Sequence, residues 1–92
     1  MKDELKVYQN KNILITGGAS FIGSHLTELM LDSGANITVI DDLSSGKEEH
    51  INDIKNEVNF LKGDVRNADL LSTQMKNIEI VFNLAAMHGG RG

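Results

Sequence analysis

Residues 16 to 23 read Thr-Gly-Gly-Ala-Ser-Phe-Ile-Gly and follow directly on the apolar run Ile13-Leu14-Ile15. A strand that turns sharply into a helix needs a residue free to take unusual backbone angles, and Gly17 supplies one. The helix beyond would aim its unpaired N–H groups and the positive end of its dipole back at the loop. Gly23 falls in the first helical turn, where a missing side chain lets helix and strand pack closely. A diphosphate suits all of this. An ordinary glycine-rich turn is the plain alternative, and the position between a buried strand and an amphipathic helix favours the phosphate. Ser20 occupies a place where one more residue without a side chain would be most useful. Its hydroxyl is expected to donate to a phosphate oxygen. A Walker loop has the same glycine spacing at Gly18 and Gly23, but Ser24 and His25 stand where its lysine and Ser/Thr belong. With no lysine for the terminal phosphates and no hydroxyl for magnesium, that reading fails.

Further chemistry-bearing residues recur after each apolar run. Asp41 lies about 20 residues beyond the loop, where a carboxylate can accept both hydroxyls of an adenosine ribose. The same charge repels a 2′-phosphate and so favours NAD over NADP. Asp42 beside it also reads as a solvated acidic turn. A receiver-type metal site would need carboxylates around the first strand, where this chain has glycines and Thr16. In Lys-Gly-Asp-Val-Arg-Asn, Asp64 is placed to accept an adenine amine and Val65 to pack on the ring, while Asp64 is equally able to cap the next helix. In Phe-Asn-Leu-Ala-Ala, the small residues Ala85 and Ala86 would let the backbone run close to a pyrophosphate and a nicotinamide ribose.

The elements that must position these residues follow from hydrophobic periodicity. A near-continuous apolar run predicts a buried parallel strand at 12–16, and further strands are expected at 36–40, 58–61 and 78–84. A period of 3.6 predicts a helix over 21–33, with Ile22, Leu26, Leu29, Met30 and Ser33 on one side and Gly34 as the stop. A short polar helix is expected over 45–54, anchored by Ile51 and Ile54. A third helix, capped by Asn67, is expected to run to about Lys76 and pack through Leu70, Leu71 and Met75. This β-α-β-α-β-α-β order implies an α/β, Rossmann-type parallel sheet in the order 3-2-1-4, with three right-handed crossover helices. Ligands of such sheets lie beyond the carboxyl ends of the strands, where the motifs cluster.

The segments TGGASFIGSHL, VIDDLSSGK, GDVRN and FNLAA, in this order and spacing, resemble the extended short-chain dehydrogenase/reductase family. More narrowly, they are similar to its NAD-dependent sugar-nucleotide epimerases and dehydratases, from about Asn12 onward. The resemblance implies that Gly17, Gly18, Ser20, Phe21, Ile22 and Gly23 line the diphosphate of NAD. It places Asp41, Asp42, Leu43, Ser44, Ser45 and Gly46 around the adenosine ribose, and Asp64 and Val65 at adenine. Leu84, Ala85 and Ala86 would meet the nicotinamide half. In the family pattern the position of Ser20 is usually glycine. The tail also resembles a loop of GDP-mannose 3,5-epimerases through Gly89-Gly90, but Met87, His88 and Arg91 depart from it.

Family members fold a much longer chain, act on nucleotide-sugar substrates, and use a Ser/Thr with a Tyr-x-x-x-Lys pair whose lysine lowers the tyrosine pKa. The single tyrosine here, Tyr8, has its nearest lysine at Lys11, and both precede the first strand. No catalytic residue is assigned. Residues 1–92 are therefore expected to be a partial NAD(P)-binding Rossmann domain, a truncated doubly wound fold. The open edge at the fourth strand, with Val81, Phe82 and Leu84, is expected to promote self-association. A stand-alone, non-catalytic nucleotide-binding module and an S-adenosylmethionine-dependent methyltransferase fragment are the other classes that share these motif positions.

Composition narrows the partners. A net charge of −4 without a basic cluster argues against nucleic acid and anionic membranes. The absence of cysteine removes disulfides and thiolate metal sites. His25, His50 and His88 show no metal-ligand spacing and read as structural or bystander residues. No apolar run approaches a membrane span, and a charged N-terminus points to the cytoplasm.

Overall fold

Asn12–Thr16 forms β1, and Ile13, Leu14 and Ile15 in it are completely buried. The computed structural model describes residues 6–43, 47–64 and 66–84. Strand β2 spans Asn36–Asp41, β3 Asn59–Lys62 and β4 Ile80–Asn83. All pair in parallel, in the order β3-β2-β1-β4. The register sets Ile15 beside Val39 on one side and Phe82 on the other. The carboxyl ends of all four strands therefore line up along one edge, and β1, central and covered on both faces, carries the glycine-rich loop there.

Helix α1, Phe21–Asp32, begins at Ser20 and ends at Gly34, whose φ of 89° is the left-handed value of a helix stop. Its buried face includes Met30, with Leu26 and Leu29 packed against the core as expected, but Gly23, Ser24 and Thr27 are also buried, whereas Ile22 is 66% exposed. The reason is close approach: a Cβ on Gly18 would lie 2.6 Å from Val39 Cγ1 and 3.2 Å from Thr27 Oγ1. Small side chains fill that seam, so the bulky residues that dominate a periodicity reading sit at its flanks. The buried hydroxyls of Ser24 and Thr27 bond to the carbonyls of Phe21 and Gly23 at 2.9 and 2.8 Å, which removes the cost of burying them.

Among its described residues, the connection from β2 to β3 holds 3-10 helices at Glu48–Ile51 and Lys55–Glu57 in place of the α-helix implied by the alternating strand–helix order. With Ile51 as its fully buried anchor, this segment lacks the repeated apolar face that would sustain a longer helix. Helix α2, Ala68–Gln74, is capped by Asn67, whose side chain accepts from Leu70 N–H at 3.0 Å. It ends before Lys76, and Met75 is 42% exposed instead of packed. Gly63 admits this helix to the sheet, since a Cβ there would lie 2.5 Å from Leu70 Cδ2. The β4 edge has no strand partner among the described residues, and Val81 on it is half-exposed.

Candidate functional site

The loop after β1 is built around Gly17, with φ 78°. Its N–H continues the sheet by bonding to Ile40 carbonyl at 2.8 Å. Its own carbonyl is gripped twice, by Ser20 N–H at 3.1 Å and Ser20 Oγ at 2.8 Å. Ser20 Oγ in turn accepts from Gly23 N–H at 2.9 Å. Ser20 is thus the helix N-cap, and its hydroxyl donates to the Gly17 carbonyl while accepting from Gly23 N–H. A serine spans this gap where glycine would leave the Gly23 N–H uncapped.

Gly23 serves the same knot. A Cβ on it would lie 2.1 Å from Gly17 carbonyl oxygen and 2.9 Å from Gly18 Cα. Its freedom from a side chain makes room for the loop's own backbone, while Gly18 provides the helix-to-strand approach that sequence reasoning assigned to Gly23.

The N–H groups of Gly18, Phe21 and Ile22 have no hydrogen-bond partner among the described residues. Phe21 and Ile22 open α1 and are two-thirds exposed, and no acidic side chain lies in that first turn. An unpaired helix N-terminus with accessible donors is an anion-binding arrangement.

Asp41 ends β2 and is buried. Its Oδ2 accepts from Ala19 N–H at 2.9 Å, and its Oδ1 from Leu43 N–H at 2.7 Å. The acid is therefore tied into the loop across 22 residues of chain. Each oxygen retains a further lone-pair site for an incoming hydroxyl. Leu43 sits at φ 64°, a left-handed angle costing about 1–2 kcal/mol in a residue with a Cβ, held here by the Asp41 bond.

Asp64 follows β3 and is bound by Arg66 through Nη2–Oδ2 at 2.6 Å, Nε–Oδ1 at 3.0 Å and Nε–Oδ2 at 3.1 Å. Arg66 N–H adds a bond to Oδ1 at 2.8 Å. This Arg66 contact holds the Asp64 carboxyl down at about 2. Arg66 is raised in return, chiefly by Asp64 and less by the nearby exposed Asp42. The helix-capping alternative for Asp64 is excluded, because Asn67 takes that role.

After β4, Leu84 N–H bonds to Thr16 carbonyl at 2.9 Å, which holds that strand's exit beside the glycine loop. Thr16 Oγ1 bonds to Asn83 Oδ1 across the same gap. Ser44, Ser45, Gly46, Val65, Ala85 and Ala86 lie outside the described residues, as do Met87, His88 and the Gly89-Gly90 tail. Of the expected site residues, Gly17, Gly18, Ser20, Phe21, Ile22, Gly23, Asp41, Asp42, Leu43, Asp64 and Leu84 all fall at the carboxyl edge of the sheet. Tyr8 lies at the opposite edge, where the neighbouring Lys11 carbonyl accepts from Asn36 N–H at 2.8 Å.

Contacts around Ala19 and Phe21 extend beyond the expected residues. Lys47 N–H and His50 Nδ1 both reach Ala19 carbonyl, at 3.0 and 2.7 Å. Phe21 packs edge-on to His25, with ring centroids 4.7 Å apart, and lies 6.4 Å from His50. The i,i+4 spacing on α1 accounts for the Phe21–His25 pair, whereas the Lys47 and His50 contacts depend on how the 3-10 turn folds back over the loop.

The model of the NAD dependent epimerase/dehydratase family matches residues 13–92. The chain belongs to that family. It is 42% identical over 77 residues to the UDP-glucose 4-epimerase of Mycolicibacterium smegmatis, covering 79% of this chain and 24% of that enzyme. The chain thus spans about a quarter of the length of the curated relatives it matches. An epimerase from Methanothermobacter thermautotrophicus superposes with a TM-score of 0.83 at 37% identity, over 90% of this chain and 25% of that one. The dTDP-glucose 4,6-dehydratase of Bacillus anthracis, solved in complex with NAD, gives 0.76 at 34% identity, over 80% of this chain and 26% of that one. The family resemblance read from the motifs and the four-stranded order are both borne out.

Proposed function

We propose that this chain is the NAD-binding N-terminal part of an NAD-dependent sugar-nucleotide epimerase or dehydratase. The observation that carries this reading is the trio of unpaired N–H groups at Gly18, Phe21 and Ile22 beside the buried Asp41 carboxylate. The diphosphate would rest on those donors, in a loop kept open by Gly17, Gly18 and Gly23 and capped by Ser20. Asp41 would accept the adenosine ribose hydroxyls through its spare lone pairs, with Asp42, Leu43, Ser44, Ser45 and Gly46 around the sugar. Asp64 and Val65 would meet adenine, and Leu84, Ala85 and Ala86 the nicotinamide half.

When bound, NAD supplies the hydride acceptor and donor. The residues of this chain bind and orient it. The one tyrosine, Tyr8, sits at the opposite edge of the sheet and is packed against Phe82 at 6.4 Å, so no proton-transfer group is assigned. Among the described residues no cluster of three or more His, Cys, Asp or Glu could hold a metal, and no helix is long and apolar enough to cross a membrane. A cytoplasmic location, indifference to nucleic acid and self-association along the β4 edge belong to the same proposal. The charge of −4 supports the second and the half-exposed Val81 the third.

Calorimetric titration of the chain tests it. NAD is expected to bind, with NADP weaker by about tenfold or more, equivalent to ~1.4 kcal/mol or above. Tight binding of S-adenosylmethionine with no response to NAD would overturn the proposal.

A further inference from the structure

We infer that His50 is a positioning residue for the dinucleotide loop, holding the Ala19–Ser20 peptide so that the Phe21 and Ile22 N–H groups face the ligand. This inference rests on the proposed NAD site and adds a residue that the glycine motif does not contain. The loop between β1 and α1 turns on Ala19, which is completely buried. Its N–H is fixed by Asp41 Oδ2 at 2.9 Å. Its carbonyl belongs to the peptide leading into Ser20, the N-cap of α1. Any rotation of that peptide would re-aim the first turn of the helix.

The carbonyl receives two donors from the segment after β2, Lys47 N–H at 3.0 Å and His50 Nδ1 at 2.7 Å. The first comes from backbone and survives any side-chain change at position 50. The second is the side-chain contribution and the shorter of the two. His50 is itself held in place, because Ile51 beside it is completely buried and His50 N–H bonds to Lys47 carbonyl at 3.0 Å. Its ring also meets Phe21 edge-on, with centroids 6.4 Å apart. It therefore grips the loop on both sides of Ser20, through the Ala19 carbonyl and the Phe21 ring.

The hydrogen bond also fixes the chemistry of the ring. A carbonyl oxygen only accepts, so Nδ1 must carry the proton and the neutral imidazole must be the Nδ1–H tautomer. A ring packed at this site for shape alone would have no such requirement.

The test combines a spectroscopic signature with rescue. Long-range nitrogen–proton NMR of the neutral imidazoles is expected to show His50 as the Nδ1–H tautomer. In His50→Ala, NAD affinity should fall by about 3- to 10-fold, the range spanned by one neutral hydrogen bond. His50→Asn, whose amide can donate from nearly the same place as Nδ1, should recover most of that loss. An Nε2–H tautomer in the wild-type chain would overturn the inference even if the alanine variant proved unstable. So would wild-type affinity in His50→Ala, or an equal loss in the asparagine variant. If the wild-type chain did not bind NAD, the proposed function would fail, while the tautomer would still decide whether His50 holds the loop.

Discussion

The segment from β1 through the turn at Ile51 and the segment from β3 through β4 contribute two strands each to the same sheet, yet they are built differently. In the first, Ile13, Leu14, Ile15, Ile37, Val39 and Ile40 of β1 and β2 are all buried, and the loop from β1 to α1 is tied by side chains from Ser20, Asp41 and His50. In the second, no described residue of β3, α2 or β4 is buried. Its site residue Asp64 is held by an exposed arginine rather than by the interior. Burial and side-chain tethers are concentrated around the unpaired N–H groups, and the outer strands are only partly embedded.

Substitutions can break or sharpen this contrast. The largest effect is expected from Gly23→Ala, whose Cβ would overlap the Gly17 carbonyl. It should cost about 3–5 kcal/mol in denaturant unfolding and abolish NAD binding with it. Next, Leu14→Ala in the buried strand should cost about 3 kcal/mol, while Val81→Ala on the exposed edge should cost under about 1 kcal/mol. Equal losses from these two would erase the contrast. Ser20→Ala removes the α1 cap and should cost about 1 kcal/mol, whereas Ser20→Gly should cost only a few tenths, read from the same unfolding curves. A larger penalty for glycine than for alanine would contradict the capping role.

The smallest effect is expected from Arg66→Ala. The folded-state pKa of Asp64 is lowered from 3.8 to about 2, so its contribution is present above the unfolded value and is lost as pH falls toward 2. In the variant, the carboxyl titration followed by NMR should move up toward the ordinary value, with little change in stability at neutral pH because the pair is exposed. A midpoint still near 2 would assign the shift to another group.

Much of this was legible in the sequence where the signal is local. The run Ile13-Leu14-Ile15 marks a doubly covered strand, and β1 spans the expected residues 12–16. Asn67 before an apolar pair marks a cap, and it caps. Signals failed where tertiary distance decides. Helix α1 also turns small residues inward because Gly18, Thr27 and Val39 meet there, which the 3.6 spacing of its large side chains does not mark, and Ile22 is left exposed. The polar stretch before β3 holds Ile51 as its buried anchor and winds into 3-10 turns. The capping bond of Ser20 to Gly17 and Gly23 closes within the loop itself, a geometry that residue type alone does not specify. His50 was set aside for want of a metal-binding neighbour, although its partner proved to be a backbone carbonyl 31 residues away.

The double tether of Asp41 has a consequence for engineering cofactor preference. A designer seeking to admit a 2′-phosphate would first replace this carboxylate with a neutral or basic side chain. Here that exchange would also release Ala19 N–H and free Leu43 from its left-handed angle, loosening the loop while changing its selectivity. If Asp41 meets the ribose as proposed, preference and architecture share one residue. Redesign is better begun at Asp42, which is exposed and ends no strand, leaving Asp41 to keep the loop closed.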